Sequence, residues 1–148
     1  MPDGLYAIKN RMLQLLPNNG LVSNGIAVTN ACVDASITVG AEATNVRAIT
    51  IQLKDSNGAD MAERTFVKAH VMADANGDAF VTTGGSTGIA IGTDGALLAV
   101  VAKKSFILVS EADGDIDLTW TDTGTEIAFL HLELPNGQRV VSSALTNT

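Results

Sequence analysis

From residue 46 onward the chain is punctuated by glycine turns of one kind: Asp55-Ser56-Asn57-Gly58, Asp74-Ala75-Asn76-Gly77-Asp78, Glu111-Ala112-Asp113-Gly114-Asp115 and Leu134-Pro135-Asn136-Gly137. Asn-Gly and Asp-Gly supply the positive φ angles that tight hairpin turns need. Between them stand segments such as Ile49-Thr50-Ile51-Gln52-Leu53-Lys54, in which apolar and polar side chains alternate. Turn chemistry and period agree on an all-β chain, a β-sandwich of at least about seven strands over 46–146.

With 148 residues, 46% of them hydrophobic, the chain can bury one core and is short for two. Its net charge is −7, and Arg47, Lys54, Arg64, Lys68, Lys103, Lys104 and Arg139 are scattered. No basic stripe exists to neutralise a phosphate backbone, which argues against nucleic acid as a partner. Cys32 is the single cysteine, so no internal disulfide is available, and cysteine usage fits assembly in a reducing cell. The apolar residues Leu13, Leu15 and Leu16 are interrupted by Gln14 and stopped by Pro17, too few for the core of a signal peptide. No run approaches the roughly 20 apolar residues of a membrane span.

The division falls near residue 45, with a helix and arm over 1–45 and the sandwich over 46–148. Asp3 is placed to cap a short helix whose stripe is Leu5, Ile8, Met12 and Leu15, and Pro17 ends it. A helix of about a dozen residues is marginal alone in water, so the stripe needs a surface: its own sandwich or a neighbouring subunit. Residues 18–42 look like an arm with one strand-like stretch, Ala35-Ser36-Ile37-Thr38-Val39. Residues 1–42 are therefore expected to serve attachment and to be dispensable for folding.

Faces can be assigned strand by strand. Ile49, Ile51 and Leu53 point inward, as do Val67, Ala69 and Val71, leaving Phe66, Lys68, His70 and Met72 outside. Ile116, Leu118 and Trp120 oppose Asp117, Thr119 and Thr121, which makes the lone tryptophan a core anchor. Ala128, Leu130, Leu132 and Leu134 face the core. The opposite set, Ile127, Phe129, His131 and Glu133, is then a greasy outer face that a second layer or a partner must cover.

The runs Ile51-Gln52-Leu53-Lys54-Asp55-Ser56-Asn57-Gly58, Met61-Ala62-Glu63-Arg64 and Val71-Met72-Ala73-Asp74 resemble the opening of a domain common in tailed-bacteriophage virion proteins. Phe106-Ile107-Leu108-Val109-Ser110-Glu111-Ala112-Asp113-Gly114, Ile116-Asp117-Leu118-Thr119-Trp120 and Leu132-Glu133-Leu134-Pro135-Asn136-Gly137-Gln138-Arg139 are similar to its closing half. The resemblance covers 46–146 and rests on turn and strand patterns. It implies an immunoglobulin-like β-sandwich, a structural or decoration role, and no catalytic residues to carry over.

Candidate chemistry is sparse. His70 and His131, the two histidines, are expected on strand surfaces, with no spacing that brings a third zinc ligand to them. Cys32 and Asp34 imitate a nucleophile and an acid but lack a base to activate the thiol. Gly84-Gly85-Ser86-Thr87-Gly88 has the composition of a phosphate-cradling loop without its Lys-Ser/Thr ending, and is expected to be flexible. Asp113, Asp115 and Asp117 alternate like the first half of a calcium loop, yet the twelfth position from Asp113 is Gly124, not a bidentate acid. They are the one metal candidate, and a weak one.

Together these point to a non-enzymatic protein without cofactor. The first function class is a virion component of a phage head, a capsid decoration or cement protein assembled in the host cytoplasm. Its partners would be the major capsid protein and further copies of itself, a trimer among the options. Leu5, Ile8, Met12, Leu15, Ile127 and Phe129 are its candidate partner-binding residues. The second class is a tail or baseplate module binding a host-surface carbohydrate. Sugar sites favour exposed aromatic platforms, whereas aromatics make up 4% of this chain and its tryptophan is expected inside.

Overall fold

The computed structural model of the chain describes residues 31–148 and, before them, only the backbone of three short strands. These are β1 (Gln14–Leu15), β2 (Leu21–Ser23) and β3 (Ile26–Val28), joined antiparallel in the order β1-β2-β3. Asn24-Gly25 separates β2 from β3 in sequence, a two-residue hairpin signature that sets Ser23 opposite Ile26. The end of the expected helix is therefore strand, with Leu15 paired to Leu21. Leu5, Ile8 and Met12 lie outside the described residues.

The remaining strands are β4 (Asp34–Val39), β5 (Val46–Lys54), β6 (Phe66–Met72), β7 (Gly88–Ile91), β8 (Ala96–Val101), β9 (Ser105–Val109), β10 (Asp115–Thr121), β11 (Phe129–Glu133) and β12 (Arg139–Val141). They form a 4-stranded sheet, β4-β5-β10-β7, and a 5-stranded sheet, β12-β11-β6-β9-β8, with every pairing antiparallel. Alternation dictates the rest. In β5 and β10 the inward residues meet as cross-strand pairs, Ile51 with Ile116 and Ile49 with Leu118. From the other sheet come Val67, Ala69, Val71, Phe106, Leu108, Leu130 and Leu132, all in the same buried cluster. Trp120 is fully buried in that cluster, as expected.

Glycine is required where the turns were placed. Gly58, Gly77, Gly114 and Gly137 all have φ between 78° and 83°, the left-handed region. Gly85 answers a second demand. A Cβ there would lie 2.8 Å from the Thr121 carbonyl and 2.9 Å from the Trp120 ring, so the loop rests its backbone directly on the tryptophan.

The division at residue 45 is corrected. β4, assigned to the arm from sequence, pairs along β5 from Asp34 with Lys54 to Val39 with Ile49. Cys32 and Ala35 enter the core beside it. The C-terminal tail is stitched to the same corner. Arg47 donates through Nη2 to the Thr146 carbonyl at 2.8 Å and through Nη1 to the Gly40 carbonyl at 3.2 Å. Asn147, itself buried, donates to the carbonyls of Asn45 and Asp122 at 2.7 and 2.8 Å. These bonds tie the C-terminal tail to the turn between β4 and β5 and to the end of β10.

Candidate functional site

The acidic ladder lies on the turn into β10 and along its outer face. Strand alternation puts Asp115 and Asp117 on one side, but Asp113 belongs to the turn, where its Oδ1 accepts from the Asp115 N–H at 3.3 Å. Its place is taken by Asp94, carried in by the connection from β7 to β8. That connection is held against β10 by Asp117 N–H to the Asp94 carbonyl at 2.9 Å and Gly92 N–H to the Asp117 carbonyl at 2.7 Å. Carboxylate oxygens of Asp94, Asp115 and Asp117 lie within 4.8 Å of one another. Three such oxygens fall short of the six to eight that calcium takes. Burial, then the Asp117 charge, push the Asp115 carboxyl up from its ordinary value, with Asp113 and Asp94 adding to the effect. Asp115 Oδ1 is buried without a hydrogen-bond partner among the described residues.

The expected outer face of Ile127, Phe129 and His131 is divided by a loop. Asp74 accepts on Oδ1 from the N–H groups of Asn76 and Gly77 at 2.8 and 2.7 Å, curling 74–78 into a tight turn. That turn folds over His131, whose Nε2 donates to the Asp74 carbonyl at 3.0 Å. His131 is consequently buried, at 2% exposure, which corrects its placement on the surface. Gly77 allows the closure. A Cβ there would sit 2.6 Å from Arg139 Nη1 and 3.1 Å from His131 Cε1. Ile127 alone of the three stays open, at 59% exposure.

Beside His131 lies a pocket of about 190 Å³ lined by His70, Met72, Phe80, Glu133 and Arg139 among others. His70 is half-buried rather than a plain surface histidine; its Nδ1 stands 3.1 Å from the Ser105 hydroxyl, and Phe80 meets its ring edge-on at 6.0 Å. Burial lowers the His70 pKa, against the opposing Glu133 charge. Ser105 is buried and serves to orient the ring, and Glu133 is paired with Lys68 at 3.1 Å. Serine and histidine thus share one contact and the acid belongs to another, so the three do not form a relay.

The glycine loop cradles an anion, a carboxylate of its own chain. Thr83 N–H donates to Glu126 Oε1 at 2.8 Å; the Thr83 hydroxyl and the Gly84 and Gly85 N–H groups reach Oε2 at 2.6, 2.9 and 3.0 Å. Successive amides curled round an oxygen make an anion nest, and here the chain fills it with its own side chain. Partial burial alone would raise the Glu126 pKa, but these four donors outweigh it and lower it from 4.5 to about 2. A folded pKa below the unfolded one gives stability that is full above about pH 4.5 and is lost as pH falls toward 2. Glu126→Gln, which turns an amide donor toward other donors, should cost roughly 2 kcal/mol at neutral pH. Urea melts should show that deficit shrinking as the pH is lowered toward 2, whereas a gap independent of pH would contradict the cradle.

Cys32 is buried, and desolvation raises its pKa despite backbone hydrogen bonds. Its Sγ contacts the Asp34 carbonyl at 3.7 Å while the Asp34 carboxylate accepts from the Ala35 N–H, so the acid does not hydrogen-bond the thiol, and its charge adds to the upward shift.

One feature had no signal in alternation. Ala96-Leu97-Leu98-Ala99-Val100-Val101 is an unbroken apolar run, yet as β8 it forms an outer edge of the sandwich, with Leu98 and Val100 63% and 60% exposed. The pairing carries Leu98 beside Ile107 and Ala96 beside Val109, and Val109 beside Phe66, so the apolar strip continues inward over the outer face. No match to this chain is found among family models, curated proteins or solved structures.

Proposed function

We propose that this chain is a non-enzymatic virion structural protein of a tailed bacteriophage, a capsid decoration protein that binds the major capsid protein and stabilises the head shell. Two antiparallel sheets packed on one apolar core are the observation that carries this reading. The spatial orders β4-β5-β10-β7 and β12-β11-β6 are compatible with strands A-B-E-D and G-F-C of an immunoglobulin-like sandwich, although β8 and β9 enter the chain between β7 and β10, where strands D and E would be consecutive. The acidic surface of a chain with net charge −7 suits a protein displayed in many copies that must not aggregate. Leu5, Ile8, Met12 and Leu15 are the proposed capsid anchor, with Ile127 and Phe129 as a second contact. Trp120 is buried, so the single tryptophan offers no platform for stacking on a sugar.

Immunogold labelling of purified particles from the phage that encodes this chain tests the reading. Label should decorate heads, and the chain should co-sediment saturably with undecorated shells. Label on tails would replace the proposal with the carbohydrate-binding alternative, and unlabelled particles would overturn both.

A further inference from the structure

Sheet edges expose unpaired N–H and C=O groups, and monomeric proteins defend them with charge, proline or brevity. Three of the four edges of the 4-stranded and 5-stranded sheets follow that practice: β4 starts on Asp34, β12 is 3 residues with Arg139 in it, and β7 is 4 residues starting on Gly88. β8 does not. It is 6 residues long, ALLAVV, without charge or proline, and its one irregularity is a shift between Ala99 and Val101 that leaves the ladder regular over 96–99.

The two ends of this strand carry opposite charge. Asp94 precedes it, in the crowded acidic group with Asp115 and Asp117, and Lys104 follows it. Neither Asp94 nor Lys104 forms an ion pair among the described residues. A strand that is neutral and apolar in the middle, acidic at its start and basic at its end, is complementary to an antiparallel copy of itself.

We infer that β8 is the seam of a two-fold dimer, in which β8 of two copies pair antiparallel and join the two 5-stranded sheets into one. About such an axis each β8 presents the same patch to the other, the isologous contact that closed dimers use. The unpaired backbone groups of β8 are satisfied, Leu98 gains cross-strand apolar neighbours from the other copy, and Lys104 of each copy approaches the acidic group of the other, supplying the cation that Asp94, Asp115 and Asp117 lack. The dimer does not depend on the virion reading.

Sedimentation equilibrium on the full-length protein tests this. The native chain should be a dimer, and Leu98→Lys should abolish association while its melt at low concentration stays cooperative. Asp94→Lys and Lys104→Asp should each weaken association roughly tenfold by facing like charges, and the double reversal should restore it. The charge pair decides the matter even if Leu98→Lys fails to fold. A native chain that stays monomeric at its highest soluble concentration overturns the proposal. Association insensitive to both single charge reversals overturns the antiparallel arrangement.

Discussion

Trp120→Ala should lower the stability of the folded chain by about 3–5 kcal/mol in urea denaturation, the cost of emptying a large buried aromatic site. The ring is fully buried between sheets, surrounded by strands that cannot collapse inward without breaking their own ladders, and Gly85 rests its backbone on the ring edge. A loss of that size is a large fraction of the 5–15 kcal/mol that holds a typical domain together. Trp120→Phe should cost clearly less, because the indole N–H has no hydrogen-bond partner among the described residues to lose. A deficit below about 1 kcal/mol for the alanine variant would mean that the ring is not a core residue.

Removing the chain before residue 43 should damage the sandwich, whereas removing it before residue 31 should not. The longer cut takes away β4, the core residues Cys32 and Ala35, and the half-buried Ile37 and Val39 that pack on the cluster. It also strips β5 of its partner over residues 49–54 and removes Glu42, to which the Thr148 N–H donates at 2.8 Å. Apolar burial alone puts the loss on the order of 5 kcal/mol, with an unprotected isoleucine-rich edge added. Fragment 31–148 should therefore melt cooperatively near the full chain's midpoint, and fragment 43–148 should aggregate or melt without cooperativity. Equal stability of the two fragments would return β4 to the role of an arm.

Strands with a strict two-residue alternation were legible, because the pleat forces every second side chain to one face whatever the rest of the chain does. Ile49, Ile51 and Leu53, and Ile116, Leu118 and Trp120, are buried for that reason. Turns were legible through Asn-Gly and Asp-Gly, since positive φ is a local steric requirement. The candidate site was legible only in part. Asp115 and Asp117 were placed together correctly as alternate residues of one strand, while Asp94 reached them only because β7 lies next to β10.

What the sequence determined by itself was thus local: the all-β class, the turns and the inward face of each alternating strand. Which strands became edges, which side chain filled the glycine nest, and which histidine was roofed over were decided by tertiary structure. Glu126 meets Gly84 and Gly85 across a long stretch of chain, and His131 is buried by a turn that begins at Asp74. The apolar run of β8 gives the same local signal whether central or peripheral, and only the strand order left it at the edge. Alternation and turn propensity are properties of neighbouring residues, whereas burial, charge crowding and edge exposure arise from contacts that exist only once the sheets have paired and packed.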